Sequence, residues 1–107
     1  MNSYVRRLAG LVSFRPDKGT KADLFRGDGL FVGLNCFEVG QSQPPHVHGG
    51  ADKFYYIVSG RARFTVAEES FEAEAGAVVW APADLRHGVE QALERTVMLV
   101  AIAPPPR

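Results

Sequence analysis

The sequence predicts an all-β fold, either a sandwich or a barrel. Short apolar and β-branched segments recur about every eight to twelve residues, and glycine, proline or acidic turn residues separate them. No segment repeats its apolar residues with the period of an α-helix. A chain of 107 residues can form one hydrophobic core, so we expect a single domain over residues 1–107.

The predicted strands are short and follow one another along most of the chain. They are expected at residues 11–14, 23–26, 30–39, 54–58, 61–67, 70–73, 77–81 and 96–103. Gly33, within the third of them, predicts a bulge or a close backbone approach. The two prolines in residues 41–45 exclude a helix there. Residues 83–88 are predicted to form a loop, and residues 104–107 an extended polyproline tail.

The charge balance bears on the partners of the protein. Lys and Arg together number 12, as do Asp and Glu, so the formal net charge is zero. A neutral chain has no general attraction to nucleic acid or to an anionic membrane, and we expect neither partner. Neutrality also does not oppose association between copies of the chain.

Cysteine content and hydropathy indicate a cytoplasmic protein. The single cysteine, Cys36, excludes an intramolecular disulfide and fits a reducing compartment. We interpret it as a small core residue. No apolar run reaches transmembrane length, and the N-terminal stretch lacks the sustained apolar segment of a signal peptide.

Three histidines carry the clearest functional signal. His46 and His48 form a His-x-His pair, and His87 is the third. Neutral imidazole is a common metal ligand, and residues two apart on a β-strand point to the same face. A histidine from another strand could then complete a facial set of three ligands.

Two stretches around these histidines resemble the two sequence motifs of the cupin superfamily. Residues 40–60, GQSQPPHVHGGADKFYYIVSG, are similar to the first: Gly, five residues, His-x-His, three or four residues, Glu, six residues, Gly. Residues 76–91, GAVVWAPADLRHGVEQ, are similar to the second: Gly, five residues, Pro-x-Gly, two residues, His, three residues, Asn. Fifteen residues separate them, which is the short spacing of small bacterial cupins.

The resemblance implies a jelly-roll β-barrel with a mononuclear site in its mouth. His46, His48 and His87 would hold one divalent transition metal, and three imidazoles suit Fe, Mn, Ni, Zn or Cu. It also implies a homodimer that takes a small organic substrate or ligand. The leading functional expectation is a dioxygenase-type oxidoreductase. The alternatives are a non-enzymatic module that binds or senses a small ligand, and an isomerase or epimerase.

The sequence departs from the family pattern at the position of the glutamate ligand, where Lys53 stands. An ammonium cannot ligate a cation. Three alternatives remain open: the histidines act alone, Asp52 supplies the carboxylate through a one-residue bulge, or the site holds no metal. Lys53 and Tyr55 are candidate catalytic residues. Asp84 and Gln91, which replace the second motif's inner Gly and its Asn, are substitutions that the fold should tolerate.

Overall fold

The computed structural model describes residues 3–106, which form two antiparallel β-sheets. Within this range the strands are Thr20–Arg26 (β1), Phe31–Phe37 (β2), Gln43–His46 (β3), Asp52–Ser59 (β4), Arg61–Val66 (β5), Glu69–Glu74 (β6), Val78–Ala81 (β7), His87–Ala92 (β8) and Thr96–Ala103 (β9). One sheet has the order β1-β2-β9-β4-β7, and the other the order β3-β8-β5-β6. This is the jelly-roll β-sandwich that the sequence predicted.

The hydrophobic core lies between the two sheets. In β4 alternate side chains are buried, so Tyr55 and Ile57 point inward while Tyr56 and Val58 point outward. The inward residues pack against Phe64 of the other sheet and its buried neighbours. Burying each large apolar side chain contributes about 1.5–3 kcal/mol. Because this alternation continues along the strand, it also decides which other residues of β4 can reach a cavity between the sheets.

A β-bulge in β1 changes which of its side chains face inward. Asp23 pairs with Gly33 and Phe25 pairs with Val32, which leaves Leu24 as the extra residue. A Cβ on Gly33 would lie 2.9 Å from the Phe31 ring. The predicted bulge therefore occurs in the strand paired with Gly33, and Gly33 itself makes a close approach.

Two local predictions were wrong. Residues 11–14 form no strand. The 3₁₀ turn Leu8–Gly10 precedes them, the Leu8 carbonyl accepts the Val12 N–H, and Val12 and Phe14 pack beside Cys36. His87 begins strand β8 and does not lie in a loop. Pairing with β3 and β5 outweighs the weak strand propensity of residues 88–92.

The remaining segments had looser predictions: no helix over residues 41–45, a core position for Cys36 and an extended tail over residues 104–107. Residues 43–46 form an edge strand, the position in a sheet that tolerates proline. Cys36 is a free, buried thiol. The carbonyl of Pro106 accepts a hydrogen bond from Arg26 Nη1 at 2.7 Å, while the final tail residue lies outside the described residues. Over the described range, no helix has the length and hydropathy needed to span a membrane.

Candidate metal centre

Three histidines from separate segments meet at one end of the sandwich. His46 ends β3 and pairs directly with His87, the first residue of β8, while His48 lies two residues beyond β3. One ring nitrogen from each of the three lies within 4.8 Å of the others. The Nε2 atoms of His46 and His48 are 3.1 Å apart. The structure thus brings together all three histidines of the predicted ligand set.

Backbone carbonyls orient two of these imidazoles. His46 Nδ1 lies 3.0 Å from the Pro44 carbonyl oxygen, and His87 Nδ1 lies 3.1 Å from that of Leu85. A ring nitrogen facing a carbonyl carries the proton and donates, so in the neutral ring Nε2 has a free lone pair. This arrangement turns the ligating nitrogen of each ring toward the centre of the cluster.

The Nε2 atom of His87 gives a direct test of whether the site fits a metal. It is buried and has no hydrogen-bond partner among the described residues. Leaving a buried acceptor unsatisfied costs about 1–3 kcal/mol, so such atoms are rare unless a water, ion or ligand completes them. Because this nitrogen lies in a group of three imidazoles, the site fits a divalent transition metal.

The environment keeps the three histidines in the neutral form that binds metals. Burial lowers the pKa of His87 to about 4, with smaller contributions from the positive charges of its neighbours. Burial also lowers the pKa values of His46 and His48, and the ammonium of Lys53 lowers each further. At neutral pH the three rings are therefore neutral, and a metal does not have to displace a second proton from an imidazolium ring.

The structure separates Asp52 from the histidines and turns Lys53 inward. Asp52 is exposed, and its Oδ1 accepts the Ala83 N–H at 2.9 Å on the outer side of β4. Lys53, the next residue, is only 4% exposed and lines the cavity beside the histidines. A regular strand cannot turn both residues the same way. β4 starts at Asp52 with regular pairing, so the one-residue bulge that would bring Asp52 inward is not present.

Lys53 is a buried cation without an ionic partner. Its Nζ lies 4.4 Å from the centroid of the Tyr55 ring, a cation–π contact. Burial lowers the pKa of Lys53 to about 8, and the charge of Lys21 contributes in the same direction. No carboxylate among the described residues forms a salt bridge with it.

Tyr55, the other candidate catalytic residue, lies beneath the cavity. Its side chain is fully buried, and its hydroxyl donates to Gln43 Oε1 at 2.9 Å. Burial raises the pKa of this hydroxyl, so it remains protonated. The ring centroids of Tyr55 and His87 are 6.3 Å apart. Tyr55 therefore supports Lys53 and anchors the strand that carries His46.

Asp84 joins the two loops that hold the site. It has a φ of 68°, in the left-handed region, at the position where the second cupin motif has glycine. Its Oδ1 accepts the Gly50 N–H at 2.9 Å, and its own N–H donates to the His48 carbonyl at 3.1 Å. Aspartate tolerates this backbone conformation better than most residues. The substitution therefore adds a hydrogen bond that fixes the His48 loop against the segment before His87.

A cavity of about 440 Å³ opens beside the histidines. Its wall includes His46, His48 and Lys53, together with polar residues from β1 and β2 that sequence reasoning missed. Those residues are Lys21, Asp23, Arg26 and Asn35. A strand was expected only from residue 23, and Arg26 reaches this cavity because the bulge at Leu24 shifts the alternation of the strand.

Comparisons with known proteins agree with this architecture. The sequence model of the cupin domain family matches residues 33–103. An uncharacterized protein of Streptomyces coelicolor, SCO3923, is 35% identical over 89 residues, which cover 81% of this chain and 82% of that protein.

Two crystal structures are similar over most of the chain. That of TT1209 from Thermus thermophilus has a TM-score of 0.88 and 33% identity, covering 95% of this chain and 98% of that one. That of an RmlC-like cupin protein from Desulfovibrio desulfuricans has a TM-score of 0.80 and 27% identity, covering 89% and 91%. The matched residues include both motif stretches and the three histidines, and the chain belongs to the cupin domain family.

Proposed function

We propose that the protein binds one divalent transition metal through Nε2 of His46, His48 and His87. The observation that carries the proposal is the buried Nε2 of His87, which has no partner among the described residues and faces the other two rings. Three neutral imidazoles form a ligand set that suits Fe, Mn, Ni, Zn or Cu. A metal held in this way supplies Lewis-acid chemistry or, if it is redox-active, oxidoreductase chemistry.

The residues around the cluster have separate roles in this proposal. The Pro44 and Leu85 carbonyls hold the rings of His46 and His87 in the tautomer that exposes Nε2. Asp84 restrains the loop of His48. The adjoining cavity is large enough for a small organic molecule and places it next to the histidines. A dioxygenase-type reaction on such a molecule is the enzymatic form of the proposal.

The second candidate is a non-enzymatic module that binds or senses a small ligand. Lys53 favours it, because an ammonium at the position of the family's glutamate removes a ligand and repels a cation. Both candidates use the same cavity and differ in whether the bound molecule is converted.

Metal analysis tests the proposal. Protein purified without chelator is reconstituted separately with Fe(II), Mn(II), Ni(II) or Zn(II), and the bound metal is then measured per chain. We expect near one equivalent for at least one metal. His87→Ala should lose most of it, and Gln91→Ala, an exposed control in the same strand, should retain it. Less than a tenth of an equivalent for every metal would contradict the proposal, as would full occupancy in His87→Ala with a folded domain.

The homodimer expected from the family resemblance is also a proposal. The outer faces of β4 and β7 carry adjacent exposed apolar side chains, with Phe54 paired to Trp80 and Tyr56 paired to Val78. β7 is an edge strand. Residues 54–58 of β4 and 78–81 of β7 include no charged residue. A second copy of a chain with zero net charge meets no electrostatic barrier there.

A further inference from the structure

The inner face of β1 carries charged side chains where the other strands of its sheet carry mostly apolar ones. Lys21 and Asp23 come before the bulge, Arg26 comes after it, and all three line the cavity. Strict alternation without the extra residue would place Phe25 on this face in place of Arg26. The bulge therefore adds a guanidinium to a wall that already holds an ammonium.

Lys53 adds a third cation to the same cavity, from strand β4 of the same sheet. It is nine-tenths or more buried and forms no hydrogen bond or ion pair with a described residue. Its neighbours across the strands are Ile102 and Ala81, which cannot compensate a charge. A largely buried charge without an ionic partner is unfavourable, and the Tyr55 ring is the one group among the described residues that offsets it here. Such a charge is commonly retained where a ligand supplies the missing partner.

The charges on the wall do not balance. The wall carries one carboxylate, that of Asp23, and three cationic side chains, those of Lys21, Arg26 and Lys53. The excess is two positive charges. Arg26 is already engaged by the Pro106 carbonyl at 2.7 Å and by the Phe31 ring, whose centroid is 4.9 Å away. Lys53 is thus the buried cation with donors still free to hold a ligand, and it lies close enough to the histidines to lower the pKa of each.

We propose that this cavity binds a small organic anion, whose charged group is held by Lys53 next to the three histidines. Carboxylate and phosphate groups share the required chemistry, because both accept charge-assisted hydrogen bonds from an ammonium. Lys21 and Arg26 attract the same charge at the side of the cavity formed by β1. The proposal rests on the proposed function only in taking this cavity as the ligand site, and it does not require a bound metal.

Calorimetric titration of the whole chain tests the inference. Acetate, succinate and inorganic phosphate are titrated in an amine buffer of low ionic strength, and neutral succinamide serves as the matched uncharged probe. Each titration uses metal-free protein and Zn(II)-loaded protein. The variants are Lys53→Met, which removes the charge at nearly constant volume, and Lys18→Met, which removes a charge from an exposed residue of the loop before β1. Circular dichroism checks the fold of each, and Lys53→Gln provides a second variant.

We expect at least one of the three anions to bind, and Lys53→Met to weaken it by about tenfold or more, the scale of a charge-assisted hydrogen bond. Lys18→Met should leave the affinity within about twofold, and succinamide should not bind measurably. The inference would be overturned if none of the three anions bound, if both Lys53 variants bound an anion as tightly as the parent protein does, or if succinamide bound as tightly as the anions. Lys53-dependent binding in a protein that takes up no metal would support the anion site while contradicting the metal centre.

Discussion

Lys53 and His87 lie on facing strands of the two sheets, and both are almost completely buried at the walls of the same site. The positive charge of Lys53 lowers the pKa of His87, in addition to the larger effect of burial. The pair therefore combines a cation that repels a metal with an imidazole whose free nitrogen would bind one. The consequences of this arrangement can be measured separately for metal affinity, for stability and for acid sensitivity.

Replacing Lys53 with glutamate should strengthen metal binding. Lys53→Glu puts a carboxylate at the inward position of β4, replacing a repulsive charge with an attractive one and adding an oxygen ligand. We expect at least a tenfold increase in Zn(II) affinity, measured by competition with a chelating dye. Asp52→Asn is the control, and its affinity should stay within about twofold because Asp52 lies on the outer side. Equal affinities of Lys53→Glu and the parent protein would place the ion away from Lys53.

Removing the charge of Lys53 should stabilise the metal-free domain. The lowered pKa of Lys53, about 8, means that the fold disfavours its protonated form. Lys53→Met should therefore raise the free energy of unfolding at pH 7 by about 1–3 kcal/mol, measured by urea denaturation. Lys18→Met should change it by less than about 0.5 kcal/mol. A loss of stability in Lys53→Met would mean that the ammonium has a stabilising partner.

The lowered pKa of Lys53 also predicts that the stability of the domain changes with pH in the alkaline range. In the unfolded chain lysine titrates near its ordinary pKa, so between about pH 8 and 10 the unfolded state binds more protons than the folded state. Stability of the parent protein should rise over this interval, and Lys53→Met should lack that rise. Parallel curves for the two proteins would contradict the lowered pKa.

Acid should destabilise the metal-free protein through the histidines. The pKa of His87 is about 4 in the fold and near its ordinary value in the unfolded chain, so the unfolded state takes up the proton first as pH falls. The contribution of neutral His87 is fully present above about pH 6.5 and is lost progressively toward pH 4. It amounts to roughly 2–3 kcal/mol. Urea denaturation at pH 7.5, 6 and 5 would measure the loss, which His87→Ala should reduce.

The exposed apolar surface of β4 and β7 should mediate association. Trp80 pairs with Phe54 on this surface and is 55% exposed in the single chain. Light scattering after size-exclusion chromatography should give twice the chain mass of 11.7 kDa for the parent protein. Trp80→Glu should give the monomer, and Val39→Glu, at an exposed apolar residue outside this surface, should not. A monomeric parent protein would contradict the dimer.

The sequence predicted the fold and the histidine cluster because both depend on local patterns. The turn glycines and motif spacing placed His46, His48 and His87, and the β9 bounds followed from one continuous apolar run. Strand β8 was missed because its pairing with two neighbours, and not its own composition, makes it a strand.

The orientation of Asp52 and Lys53 could not be predicted, since β4 is apolar on both faces and either register satisfied its pattern. The position of Arg26 at the cavity depends on a bulge that is set by the pairing of β1 with β2. Register and bulges are tertiary features, so residues that rely on them for their orientation were beyond the reach of local patterns.

Nitrogen-15 NMR of the histidine rings tests the central claim most directly. In metal-free protein at pH 7.5, His46 and His87 should carry the proton on Nδ1, because those atoms face the Pro44 and Leu85 carbonyls. One equivalent of Zn(II) should then shift the Nε2 resonances of His46, His48 and His87 together and saturate. A titration in which any of the three Nε2 resonances stays in place at saturation would contradict a metal centre built from these histidines.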